Sequence, residues 1–285
     1  MGDIFTLLFV QPITNLMVGI YDLLLMLHIP SALGFSIIIL TMVIRLALFP
    51  LMSQQLKSSK KMQEIAPLLA KIKEKFKGNS QRIQSETMLL YKQYGINPAA
   101  GCLPVVVQLP VIWGLYNVLQ HVVKQTTLTD INKLVYSDSL KLQHVWDTYF
   151  FGLPLGQTPG QLFNYHDLAT YGILILPILT AVTQFIQSKM MLPTTPPAPK
   201  DPNKKSDTAS DFASAFQTQS LYIFPLMIGF FSYRFPAGLS FYWITFTIFG
   251  IIQQYLMQRG SKPLVPAPVV VEKIASPKKK KAKKR

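Results

Sequence analysis

The positive charge of this chain comes in blocks, and the blocks alternate with apolar runs long enough to cross a membrane. No Lys or Arg precedes Arg45. Nine fall between Lys57 and Lys92, three between Lys124 and Lys141, four between Lys189 and Lys205, one at Arg234 and ten from Arg259 to Arg285. Only 14% of residues are charged and 49% are hydrophobic, yet the formal net charge is +15. A soluble domain carries about a quarter charged residues. A chain this poor in charge must meet lipid, and its excess of cations must meet something anionic elsewhere.

A bilayer core of about 30 Å takes about 20 apolar residues in a helix. Five segments meet or approach that length: 33–53, 103–123, 169–188, 218–234 and 237–257. The last two are separated only by Arg234-Phe235-Pro236-Ala237-Gly238, where proline and glycine end one helix and turn the chain tightly into the next. From Ser220 to Arg234 the fourth segment measures about 22 Å at ~1.5 Å per residue. Either it is a short span or residues 212–219 lengthen it. Residues 4–29 are apolar but interrupted by Gln11, Asn15, Asp22 and His28. Residues 1–30 are read as an amphipathic helix lying in the interface, with a sixth span as the rival.

Short loops rich in Lys and Arg stay in the cytoplasm. Loop 54–102, loop 189–217 and the tail are the basic segments. The acidic N-terminus and loop 124–168, with Asp130, Asp138, Asp147 and Asp167, belong outside. Five spans close this alternation with the N-terminus outside and the C-terminus in the cytoplasm. A sixth would leave a cytoplasmic N-terminus without positive charge. The expected fold class is all-α: a polytopic membrane protein with five transmembrane helices, a cytoplasmic helical hairpin and an N-terminal interfacial helix. The core covers residues 31–258, with a flexible linker at 193–211 and a basic tail at 259–285.

Several kinds of chemistry are excluded. The single cysteine, Cys102, permits no internal disulfide and no cysteine-based zinc or iron–sulfur site. It reads as a small buried residue at a helix start. His28, His121, His144 and His166 share no helical face. Neither a G-x-x-x-x-G-K-[ST] phosphate loop nor a G-x-S-x-G elbow occurs. No enzyme activity, metal or cofactor is implied.

Arg45 stands in the inner half of the first span, and all 13 acids lie outside the five spans. A charge at membrane depth costs about 2.5–3.5 kcal/mol on insertion scales. Either its long stem snorkels to the cytoplasmic headgroups, or it faces a hydrated cavity. Thr41 one turn earlier, Gln108, Asn117 and Gln120 in the second span, Gln184 and Gln187 in the third, and Gln253 and Gln254 in the last supply polar groups for such a cavity. A cationic site without acids is unsuited to a carboxylate proton relay. It would attract acidic or polar peptide.

Residues 54–100 read as two amphipathic helices. Ile65, Leu68, Leu69, Ile72 and Phe76 repeat at helical spacing on the first. Ile83, Met88, Leu90, Tyr91 and Tyr94 follow on the second, with Ser80 placed to cap it and Gly95 to end it. The pair would project into the cytoplasm as a paddle.

Residues 97–121, from Asn-Pro-Ala-Ala-Gly-Cys-Leu-Pro to Asn-Val-Leu-Gln-His, resemble the segment that opens the second span of the YidC/Oxa/Alb family of membrane protein insertases. Gly34 to Pro50, with its single Arg45, is similar to the family's first span. Phe235-Pro236-Ala237-Gly238, leading to Phe241-Tyr242-Trp243 and Gln253-Gln254, is similar to its last hairpin. The resemblance covers about residues 15–258. It implies a short bacterial form, in the cell membrane, that inserts newly made membrane proteins without ATP by way of a hydrated, positively charged groove. Arg45 would be the groove arginine, and Thr41, Trp243 and Tyr242 would contact the client segment. Gln184 or Gln187 would line the groove, as would Gln108.

The implied partners are nascent membrane protein clients, the lipid bilayer, the ribosome and a Sec translocon. The hairpin and the tail, with Lys278, Lys279, Lys280, Lys281, Lys283, Lys284 and Arg285, would meet ribosomal RNA or, alternatively, anionic lipid. DNA is not among them. The competing function is a small transporter or channel that uses Arg45 for an anionic solute. The lack of an inverted repeat speaks against it.

Overall fold

The computed structural model describes residues 2–97, 103–123, 131–142, 146–191 and 219–259. The linker 193–211, Cys102 and the tail from Lys278 to Arg285 lie outside the described residues. The described chain is almost entirely helical. An N-terminal turn Gly2–Phe5 and a π-turn Thr6–Val10 lead into α1, Gln11–Met26. Then follow α2 (Ala32–Ala47), α3 (Phe49–Glu64), α4 (Ala66–Lys75), α5 (Ser80–Gln93) and α6 (Leu103–Val123). After the outer loop come α7 (Ile175–Met191), α8 (Phe224–Arg234) and α9 (Ala237–Arg259).

Two helices are by themselves long and apolar enough to cross a membrane, Thr6–Met26 and Thr170–Met191. The pair α2 and α3 makes a third candidate only if its 66° bend is counted within one span. Helices α6 and α9, of 21 and 23 residues, have the length of a span, and α8 falls in a shorter apolar helix, Leu221–Arg234.

The first expected span, 33–53, is therefore two helices. The ladder ends at Leu48, whose N–H still reaches the Ile44 carbonyl at 2.9 Å. Pro50 has no N–H to give to Leu46, and its ring crowds that carbonyl. The chain turns there, and α3 leaves the axis of α2 at 66°.

The N-terminal helix packs into the bundle rather than standing apart from it. Ile13, Met17, Val18, Tyr21 and Leu24 share one core with Leu33, Ile37 and Leu40 of α2, Leu115, Val118 and Leu119 of α6, and Leu239, Tyr242 and Trp243 of α9. One of its polar interruptions, Asn15, is taken up by the loop that follows α6. The Asn15 amide donates to the Leu134 carbonyl at 2.9 Å and accepts from the Tyr136 N–H at 2.7 Å. The Tyr21 hydroxyl accepts from the Asp147 N–H, and its ring stacks on Trp146 at 5.0 Å.

That loop is a folded cap. Ile131, Leu142, Trp146 and Leu155 are buried in the bundle core. A two-stranded hairpin pairs Tyr149 with Pro154 and Phe150 with Leu153. The loop carbonyls of Gln157 and Leu155 accept from the N–H groups of Ala237 and Gly238 at 2.9 and 2.8 Å, capping the start of α9. A Cβ at Gly238 would lie 3.1 Å from both Ile37 and Leu119, so glycine lets three helices meet at the α8–α9 turn.

The α4–α5 hairpin has its own small core of Ile65, Leu68, Leu90 and Ile96, flanked by Met62, Leu69, Ile72, Tyr91 and Tyr94. Two expectations change. The cap of α5 is Asn79, whose side chain accepts from the Arg82 N–H at 3.0 Å, and not Ser80. Met88 points out of the stripe and is 44% exposed.

Candidate functional site

Arg45 sits in the last turn of α2 with its side chain directed at α9 and only 1% of its surface exposed. Its Nε and Nη2 donate to the main-chain carbonyl of Phe246 at 3.1 and 2.7 Å. The guanidinium lies over the Phe246 ring, 3.6 Å from its centroid. The snorkelling alternative is thus not adopted: the charge turns into the bundle, and α9 closes over it. Among the described residues its partners are a carbonyl dipole and a π-face, with no carboxylate. Both are desolvated acceptors that stabilise a cation more strongly in a low-dielectric interior than in water.

Tyr242, Phe246 and Gly250 follow at four-residue intervals on α9 and so form one face beside Arg45. Tyr242 is fully buried, its ring 5.8 Å from that of Phe246, and its hydroxyl accepts a short hydrogen bond from the Gln108 amide of α6. A Cβ on Gly250 would overlap Gln187 Nε2 and Arg45 Nη2, so both side chains press against bare backbone there. This separates the two glutamines: the Gln187 amide lies against Gly250 as the arginine does, whereas Gln184 stands one turn earlier on α7. Thr41 is fully buried and donates to the Ile37 carbonyl of its own helix at 2.6 Å. Trp243 belongs to the bundle core, 6% exposed and stacked on Phe235 at 6.4 Å. The structure thus brings Arg45, Gln108, Gln187 and Tyr242 together, sets Thr41 beside them, and turns Trp243 toward the outer hairpin turn.

Beyond Gly250, toward the C-terminal end of α9, the polar groups continue. Gln254 donates to the Met190 carbonyl at 2.7 Å, Gln63 to the same carbonyl at 3.1 Å, and Gln253 to Ser53 at 3.4 Å. Among the described residues, the buried amide oxygens of Gln55, Gln253 and Gln254 have no hydrogen-bond partner, and a buried polar atom left unpaired costs about 1–3 kcal/mol.

A family model of the 60Kd inner membrane protein, the YidC/Oxa/Alb group, matches residues 25–263. The chain belongs to this family. It is 36% identical over 249 residues to the inner membrane protein PPF-1 of Pisum sativum chloroplasts, covering 84% of this chain and 52% of that protein. Its identity to ALBINO3 of Arabidopsis thaliana is 34%, over 83% of this chain and 49% of the relative. With the membrane protein insertase YidC 2 of Bacillus anthracis it shares 34% over 254 residues, 88% of this chain and 79% of the relative. The chain spans about half the length of the chloroplast relatives and most of the bacterial one. The family is one of membrane insertases and not of enzymes.

Sequence reasoning missed Gly250 and Phe246. A glycine inside a helix of otherwise large residues was the available signal for the first. Nothing local distinguishes Phe246, because its role is carried by a main-chain carbonyl.

Proposed function

We propose that this protein is a membrane insertase of the bacterial cell membrane that takes newly made membrane proteins into a polar, positively charged groove at Arg45. It then releases their transmembrane segments sideways into the lipid without ATP. The supporting observation is the buried guanidinium of Arg45, held by a carbonyl and an aromatic ring instead of an acid. A cation so placed exchanges its partner for any better acceptor that arrives, and a client's acidic flank or free main-chain carbonyl is such an acceptor. Moving that flank across about 30 Å of hydrocarbon costs several kcal/mol for each unpaired backbone group. Donors and acceptors partway across shorten the path: Arg45, Gln187 and Gln108 within the bundle, and the glutamine amides at its cytoplasmic end. The short α8 helix assists by thinning the bilayer beside the groove.

In this reading the bundle has five spans, with the N-terminus outside and the C-terminus in the cytoplasm. Asn15 and Tyr21, six residues apart on α1, both bind the outer loop. These bonds hold α1 to that loop. The basic hairpin and the tail from Lys278 to Arg285 meet the ribosome, and a Sec translocon acts alongside for larger clients.

The test is insertion of a small membrane protein with a short translocated acidic flank into liposomes holding the full chain. Charge-assisted hydrogen bonds contribute about 1.5–3 kcal/mol, so Arg45→Ala should lower insertion by roughly ten- to a hundredfold. Unchanged insertion for clients with acidic flanks would refute the role of Arg45. Solute flux without any insertion would establish the transporter reading instead.

A further inference from the structure

We propose that Gly250 is a positioning residue for Arg45: the bare backbone of α9 at this point lets the guanidinium seat on the Phe246 carbonyl beside Gln187. The inference rests on the insertase reading only for its effect on clients, and the seating itself is independent of it.

The geometry is specific to this turn. Phe246 and Gly250 are one helical turn apart, so the Phe246 carbonyl points along the helix toward position 250. Any side chain there stands over the approach to that oxygen. A Cβ would overlap Arg45 Nη2 and Gln187 Nε2 and would lie 3.2 Å from Arg45 Cζ. Two long side chains from two different helices, α2 and α7, therefore converge on the one position of α9 that has no side chain. Alanine is the better helix former, so the backbone of α9 gains nothing from glycine at 250. What glycine provides is room for a cation to reach a main-chain acceptor. With the room filled, Arg45 would be displaced from the Phe246 carbonyl. It would then be more open to reagents and less defined as a client contact.

The experiment uses the full chain in liposomes and phenylglyoxal, with peptide mass spectrometry reading modification at Arg45 and, as internal reference, at exposed Arg82. Wild type should modify slowly at Arg45. Gly250→Ala should speed that modification about tenfold, leave Arg82 unchanged and lower client insertion several-fold. Gly19→Ala, where an added Cβ meets open space in α1, should change neither. Adding Gln187→Ala to Gly250→Ala leaves the new Cβ over the approach to the carbonyl, so fast modification of Arg45 should persist. A return to slow modification would show that crowding by Gln187, and not the blocked carbonyl, displaces the arginine, and would overturn the proposal. Should Gly250→Ala lose its fold, Phe246→Leu keeps the carbonyl, adds no atom near it and removes the ring beneath the guanidinium; it should raise Arg45 modification several-fold. Modification at Arg45 unchanged in the folded variants would overturn the proposal whatever happens to insertion. Accelerated modification in a protein whose wild type inserts no client would sustain the seating and overturn the insertase reading.

Discussion

The helix bundle and the α4–α5 hairpin both have apolar cores but differ in what their outer faces carry. In the hairpin, Ile65, Leu68, Leu90 and Ile96 are buried while lysines cover the outside. In the bundle, Thr14, Ser36, Thr41, Arg45, Thr180, Thr183, Ser232, Ser240 and Thr247 are buried, while Leu7, Leu8, Val182, Leu226 and Ile252 are exposed. Water drives apolar groups together in the hairpin. Lipid offers no such drive, so the bundle is held by packing, small residues and hydrogen bonds such as the buried chain Thr180–Ser232–Ser240, at 3.2 and 2.7 Å. A polar side chain inside the bundle is therefore ordinary; a charge inside it is not, and Arg45 is the feature that sets this bundle apart from a merely packed one.

Four experiments sharpen or break that contrast. The largest effect is expected for Leu90→Ala, which should destabilise the hairpin by about 2–5 kcal/mol. The hairpin core is small enough for this to expose its amides to hydrogen exchange while those of the bundle stay protected; protection lost in both would show that the two fold as one unit. Next come two substitutions at matched exposure, Val182→Lys on α7 at 47% and Met88→Lys on α5 at 44%. The first places a charge against lipid and should cost about 2.5–3.5 kcal/mol, read as a lower melting midpoint in detergent or poor membrane integration. The second should stay within about 0.5 kcal/mol. Equal effects would mean that the α7 face does not meet hydrocarbon.

Asn79→Ala removes the cap of α5 and should cost about 1 kcal/mol, visible as faster exchange in the first turn of that helix alone. The smallest effect concerns pH. Burial in the hairpin raises the Tyr91 hydroxyl above the ordinary tyrosine value of 10.0. An acid whose folded-state value is raised favours its neutral form on folding. Hairpin stability is therefore unaffected below the ordinary value and falls as pH rises past it, because the unfolded chain ionises first. Tyr91→Phe should flatten this alkaline limb in hydrogen-exchange or circular-dichroism titration; a limb unchanged in Tyr91→Phe would assign it elsewhere.

Much of the site was legible along the chain. Arg45 stood out as the lone cation of an apolar run, and the Phe235-Pro236-Ala237-Gly238 turn announced a hairpin. Gln108 and Tyr242 were named separately and prove to be bonded to each other. The bend at Leu48 was written in Pro50 but read through, because hydropathy averages over a proline. Ser80 and Asn79 are both good caps, and only the backbone angles decide between them. The fold of the loop after α6 was not legible, because its buried residues, Ile131, Leu142, Trp146 and Leu155, follow no period and face helices distant in sequence.

The sequence by itself determined that this is a mostly helical membrane protein, because hydropathy and charge are properties of a segment against its solvent. It determined too that Arg45 would find no acid at its own depth. Only the tertiary structure decided what Arg45 binds instead. Its acceptor is a backbone carbonyl 201 residues away, and the space to reach it is a missing side chain at Gly250. Neither carries any chemical mark in the sequence: every residue has a carbonyl, and which one an unpaired cation finds depends on how two helices approach.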